Sequence, residues 1–126
     1  MQPPFGRKLR KSLVDASEGH GIFEGTPDGS EYNPMGTVRG GYAASLLDSA
    51  CGIATHTALQ LSQGYTTAEL KVSYMKPLTA QSGKVRAEGR VLSIGSRAAF
   101  AEARLTDERG RLCATATSTL IIMCKS

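Results

Sequence analysis

Beyond Gly64 the chain alternates apolar and polar residues with a period of two, the pattern of half-buried strands. Thr67–Met75 sets Leu70, Val72 and Tyr74 on one face, and Lys84–Leu92 sets Val85, Ala87, Gly89 and Val91 opposite its charges. Ser93–Ser96 reads as a turn, Ala98–Leu105 as a strand, Asp107–Gly110 as a second turn and Arg111–Ile122 as the last strand. Upstream, Lys11–Ser17 and Ile22–Gly25 are two short strands around a turn at Glu18–Gly21. Thr26–Pro34 is dense in turn formers and reads as a loop. Strands joined by such short turns predict an antiparallel meander.

One stretch breaks the alternation. From Gly40 or Gly41 to about Leu59 or Leu61, small and apolar residues predict a long helix that stops near Gly64. A helix apolar on nearly all sides belongs inside a protein. Many inward strand positions are Ala or Gly, so a bulky element must lie against them, and this helix is the candidate. The expected architecture is α+β: one antiparallel sheet wrapped around one long central helix. Its 126 residues form a single domain, 1–126, with 1–10 a peripheral N-terminal segment.

Composition narrows the function. The net charge of +4 comes from Arg7, Lys8, Arg10 and Lys11; elsewhere acids and bases balance. No nucleic-acid-binding motif accompanies that cluster, so a nucleic-acid partner is not expected. No run reaches 18 uninterrupted apolar residues, and the N-terminus lacks a signal-peptide pattern, so the expectation is a cytoplasmic protein without a membrane partner. Cys51, Cys113 and Cys124 show neither a CxxC pair nor a His at ligand spacing. No disulfide framework and no metal site follow, and Cys51 and Cys113 read as small core residues.

Between Arg39 and Glu69 only Asp48 carries full charge. A lone buried carboxylate is costly, so it must be paired or put to use. The glycine pair Gly40-Gly41 opens the helix, where free N–H groups favour developing negative charge. That fits an oxyanion hole; it also fits a pair of glycines packed tightly at a helix entry. Asp48 lies eight residues beyond Gly40, ~12 Å along one helix, too far for one carbonyl to touch both. Two such helices antiparallel across a two-fold axis would bring one start to the middle of the other. A site of this kind requires a dimer. Otherwise Asp48 is a carboxylate capped by Ser45 or Ser49. His56 lies as far from Asp48 on the other side, so no dyad forms within one chain, and His20 reads as a solvated turn residue.

Asn33-x-x-Gly36-Thr37-x-x-Gly40-Gly41 followed by Leu46-Leu47-Asp48 resembles the hotdog-fold acyl-CoA thioesterases of the phenylacetate-pathway type. Thr66-Thr67-x-Glu69-Leu70-x-Val72-x-Tyr74-Met75-x-Pro77 looks like that family's strand after the helix. The resemblance, from about Gly19 to Met123, implies the hotdog fold and hydrolysis of acyl-CoA to a carboxylic acid and free coenzyme A. It implies no metal and no cofactor beyond the coenzyme A of the substrate. By that resemblance Asp48 is the general base or nucleophile and the Gly40 N–H polarises the thioester carbonyl. Asn33 positions the carbonyl or water, and Thr67 is the hydroxyl beside the carboxylate. Gly41, Tyr74 and the turn Ser93, Ile94, Gly95, Ser96, Arg97 and Ala98 line the coenzyme A groove, Arg97 being either a phosphate contact or a solvated residue. The family pattern implies a homodimer, extended to a homotetramer as a dimer of dimers. Arg39 departs from it, standing where His is usual, and could reach a phosphate, an acyl carboxylate or Asp48. That departure keeps open a non-catalytic acyl-CoA-binding or regulatory hotdog protein.

Overall fold

The computed structural model describes residues 11–27 and 40–124. Strands β1 (Lys11–Ser17) and β2 (His20–Gly25) form a hairpin. Its turn is only Glu18-Gly19, Gly19 taking φ 75°, where L side chains are strained, and Ser17 pairs with His20. His20 and Gly21 therefore belong to β2 rather than to the expected four-residue turn. Next comes α1 (Gly40–His56), then β3 (Gln63–Tyr74), a 3-10 turn (Ala80–Ser82), β4 (Val85–Ile94), β5 (Ala98–Thr106) and β6 (Leu112–Cys124).

The six strands form one antiparallel sheet in the order β1-β2-β4-β5-β6-β3. A simple meander is therefore incorrect. Only β4-β5-β6 meanders; β3 crosses to the far edge and pairs with β6. The helix makes this possible, because it carries the chain across the sheet face between β2 and β3.

The face against α1 has the small residues that the alternation foretold. Ala87, Ala101, Ala103 and Ala116 lie within the core beside Leu46, Leu47, Leu105 and Leu120. At Gly89 a Cβ would collide with the backbone of Ala50, so helix and strand touch main chain to main chain. Leu46 and Leu47 are fully buried, each contributing ~1.5–3 kcal/mol through loss of apolar surface to water.

The helix departs from expectation in two ways. It ends at His56, short of Leu59, and Gly64 lies inside β3. The stop is made by Thr57, whose hydroxyl shares its one proton between the carbonyls of Ser17 and Ala54 (both 2.8 Å) and accepts from the N–H of Gly19 (3.0 Å). Those bonds tie the helix end to the β1–β2 hairpin, and Ala58 and Leu59 follow with tightened i→i+3 bonds. Second, α1 is not enclosed on all sides. Ala44, Ser45, Asp48 and Ser49 form a half-buried stripe, and Gly41 is exposed.

Candidate active site

The helix start, the middle of its open stripe and the inward side of β3 meet along one line. Antiparallel packing sets Tyr65 of β3 against Gly52, Thr67 against Asp48, and Tyr74 against Gly40. An irregularity between Thr67 and Glu69 makes this possible. The extra residue, Ala68, lets Thr67 and then Leu70 and Val72 all turn inward.

Asp48 is half-buried, and one carboxylate oxygen accepts a hydrogen bond from the Thr67 hydroxyl at 3.0 Å. Burial pushes the Cys51 thiol up to about 12, with the negative charge of Asp48 and then Glu102 adding to it. The Tyr65 phenol is raised too, by burial first and Asp48 second. Cys51 is therefore a neutral core thiol, and Cys113 is likewise buried. Among the described residues no three His, Cys, Asp or Glu side chains gather in a way that could hold a metal ion.

At the helix start the Tyr74 hydroxyl donates to the Gly40 carbonyl at 2.7 Å. A Cβ at Gly40 would lie 3.1 Å from that phenol oxygen, a tight contact that the Tyr74 ring would have to ease. Gly41 faces open space, with nothing within 4 Å of its Cβ position. Beside them lies a cleft of about 460 Å³ between the glycine pair, the β3 exit from Tyr74 to Leu78, and Leu105, Cys113 and Ala114 on the sheet. The cleft residues beyond Tyr74 were not foreseen. Cys113 and Ala114 looked like ordinary core positions, and only the register of β3 on β6 brings them beneath the helix start.

Asp48 and Thr67 are thus brought together, as are Gly40 and Tyr74. Ser93 and Ile94 close β4, Gly95–Arg97 make the turn and Ala98 opens β5. This turn sits at the other end of the sheet from Tyr74. The Arg97 carbonyl accepts from Ile122, which pairs with Tyr65, whereas Tyr74 pairs with Ala114. Nine residues of strand separate those ends, ~30 Å. One chain therefore does not unite the two parts of the expected coenzyme A groove. Asn33 and Arg39 lie outside the described residues. His56 is exposed at the helix end, while His20 is not simply solvated, its Nε2 lying 2.5 Å from Glu88.

The sequence model of the thioesterase superfamily matches residues 35–114. The chain is 32% identical over 88 residues to the proofreading thioesterase EntH of Klebsiella pneumoniae, a match covering 70% of this chain and 63% of that protein. It is 27% identical over 96 residues to 1,4-dihydroxy-2-naphthoyl-CoA hydrolase of Escherichia coli, covering 76% and 69%. Among solved structures, a mutant of the phenylacetic acid degradation protein PaaI from Thermus thermophilus superposes with a TM-score of 0.85 at 25% identity, covering 94% of this chain and 98% of that one.

Proposed function

This chain belongs to the thioesterase superfamily, and on that premise we propose that it hydrolyses acyl-CoA to a carboxylic acid and free coenzyme A in sites shared between two subunits. The observation that carries the proposal is the half-exposed Asp48, held by the Thr67 hydroxyl on the open stripe of a helix whose glycine start faces a cleft. Asp48 takes a proton from the attacking water, or itself attacks the carbonyl carbon. The N–H groups at Gly40 and Gly41 receive the charge that builds on the carbonyl oxygen. The C–S bond then breaks. On the general-base route the leaving thiolate takes up the proton that Asp48 removed from water; on the nucleophilic route water protonates it and hydrolyses the acyl-aspartyl anhydride. Both end in a carboxylic acid and free coenzyme A, with no metal or redox cofactor taking part. Asn33 orients the carbonyl or water, and Arg39 meets a phosphate of coenzyme A.

The dimer follows from distance. Asp48 cannot serve its own Gly40, so the reading needs a second α1 antiparallel across an axis near Ala44, midway between them. The same axis suits the sheet. Thr67 lies beside Asp48 and Tyr74 beside Gly40, so the axis passes β3 near Leu70, its outer edge unpaired among the described residues. A long open edge is an aggregation hazard unless covered. Pairing β3 with its copy about Leu70 covers it and sets Glu69 opposite Lys71 of the partner subunit. It also carries the partner's Ser93–Ala98 turn towards Tyr74, completing the coenzyme A groove. A tetramer then forms as a dimer of such dimers. Three free thiols suit a reducing compartment, and the proposal places the protein in the cytoplasm, acting on a small-molecule substrate rather than on nucleic acid or a membrane.

The test is hydrolysis of benzoyl-, phenylacetyl- and straight-chain acyl-CoA by the native protein and by Asp48→Asn. Turnover by the native protein and a loss of about 10²–10⁴-fold in a folded, still dimeric Asp48→Asn are expected. Full activity in that variant would refute the assignment. Tight acyl-CoA binding with no turnover by the native protein would favour a binding or regulatory role.

A further inference from the structure

The cleft at the helix start has a composition that the chemistry at Asp48 does not require. Its floor is Ala43, Leu78, Leu105, Cys113 and Ala114, all buried. No carboxylate lines it among the described residues, and its one described cation, Lys76, is exposed. The Cys113 thiol is not a reactive centre here: burial first, and then Asp107, raise its pKa. Its carbonyl accepts the Met75 and Lys76 N–H groups, fixing the β3 exit as a wall. Tyr74 and Met75 are 56% and 52% exposed on that wall, adjacent apolar side chains at the rim of an apolar cleft.

We propose that this cleft is the acyl-binding subsite, and that it takes an uncharged, apolar acyl group several carbons longer than acetyl. The identity of the ligand rests on the thioesterase reading above. The cleft begins at Gly40 and Gly41, so a thioester whose carbonyl oxygen meets their N–H groups has its acyl chain at the cleft mouth. At about 460 Å³ it has the size of an ordinary small-molecule pocket, far more than a methyl group fills. A terminal carboxylate would be desolvated against Leu78 and Leu105 with no buried partner among the described residues. The division of labour is thus specific. The subunit that polarises the carbonyl also selects the acyl group, while the other subunit supplies Asp48 and Thr67.

Two series on the full chain test this. Non-hydrolysable thioether analogues of acetyl-, butyryl-, hexanoyl- and octanoyl-CoA are titrated by calorimetry, and the matching thioesters are assayed for turnover. Affinity and kcat/KM should each rise up to about fourfold per methylene until the cleft is filled. Adipoyl-CoA, which ends in a carboxylate, should fall at least a hundredfold below hexanoyl-CoA. Ala43→Leu fills the floor and Met75→Trp crowds the rim; each should shift the preference to shorter chains. Met75 is half exposed, so its variant tests the idea even where Ala43→Leu fails to fold. Hydrolysis with a flat length profile, or a profile unmoved in folded Met75→Trp, overturns the acyl subsite and leaves the thioesterase reading standing. Length-dependent binding that shifts in the variants, without turnover of any thioester, does the reverse. Neither binding nor turnover removes both.

Discussion

The hydrogen bond from Tyr74 to Gly40 acts on a neighbour. A peptide unit joins the carbonyl of one residue to the N–H of the next, so gripping the Gly40 carbonyl orients the amide that ends in the Gly41 N–H. A donor on the carbonyl also polarises that amide, making its N–H a better donor. Tyr74 is in this sense a positioning residue for the proposed oxyanion hole. Tyr74→Phe should lower kcat by about two- to tenfold, the worth of one ordinary hydrogen bond, with KM little changed. The Gly41 amide proton should also shift upfield in the NMR spectrum. An unmoved Gly41 resonance would show that the phenol only packs there.

Among the elements, the β5–β6 turn has the clearest electrostatic design. One oxygen of buried Asp107 accepts from the Arg109 and Arg111 N–H groups at 3.0 and 2.9 Å, and the other from the Arg111 side chain at 2.8 Å. The Arg111 backbone bond leads in holding this carboxyl below its usual range; burial opposes it, and the Arg111 side chain and Arg109 N–H assist. A carboxylate with a depressed folded pKa stabilises above the ordinary carboxylate pKa and loses that contribution as pH falls through the folded value. Asp107→Asn should therefore melt below the native protein at neutral pH, and the gap should close in acid. A gap that is constant from pH 7 to pH 2 would contradict this. The turn itself was readable from Asp107-Glu108-Arg109-Gly110, and the strands from their alternation, because both are local signals. The place of β3 was not readable. Its partners on β6 lie some fifty residues away, and a period of two says which face is buried but not which strand is beside it. The helix end was hidden for the same reason, since Thr57 stops it by bonding to Ser17 and Gly19. Asp48 and the glycine pair stood out as chemical misfits, whereas the cleft floor looked like ordinary core.

For the whole molecule, the proposed sharing of a site between subunits has a countable consequence. Gly41→Val obstructs the helix mouth without clashing inside the protomer, because its Cβ position is open. Asp48→Ala removes the carboxylate. Each variant alone should be inactive. In a dimer containing one of each, one site joins an intact glycine pair to an intact Asp48 and the other has neither. Dissociating and randomly reassociating an equal mixture should restore about a quarter of native activity, half the dimers having one working site of two. No recovery in a mixture that does exchange subunits would mean that each chain works alone.

The pairing of β3 with β6 also bears on how the protein is made. Glu69 meets Thr119 at the sheet edge fifty residues later. At roughly 5–20 residues per second a ribosome takes about two to ten seconds to cover that interval. Throughout it, β3 is complete but has neither sheet neighbour nor the strand that will hold it against α1. The nascent chain therefore presents a ready-made edge next to an apolar helix. That interval is the window for a chaperone, and pulse-labelled chains stalled before Leu112 should be the ones most readily captured by it.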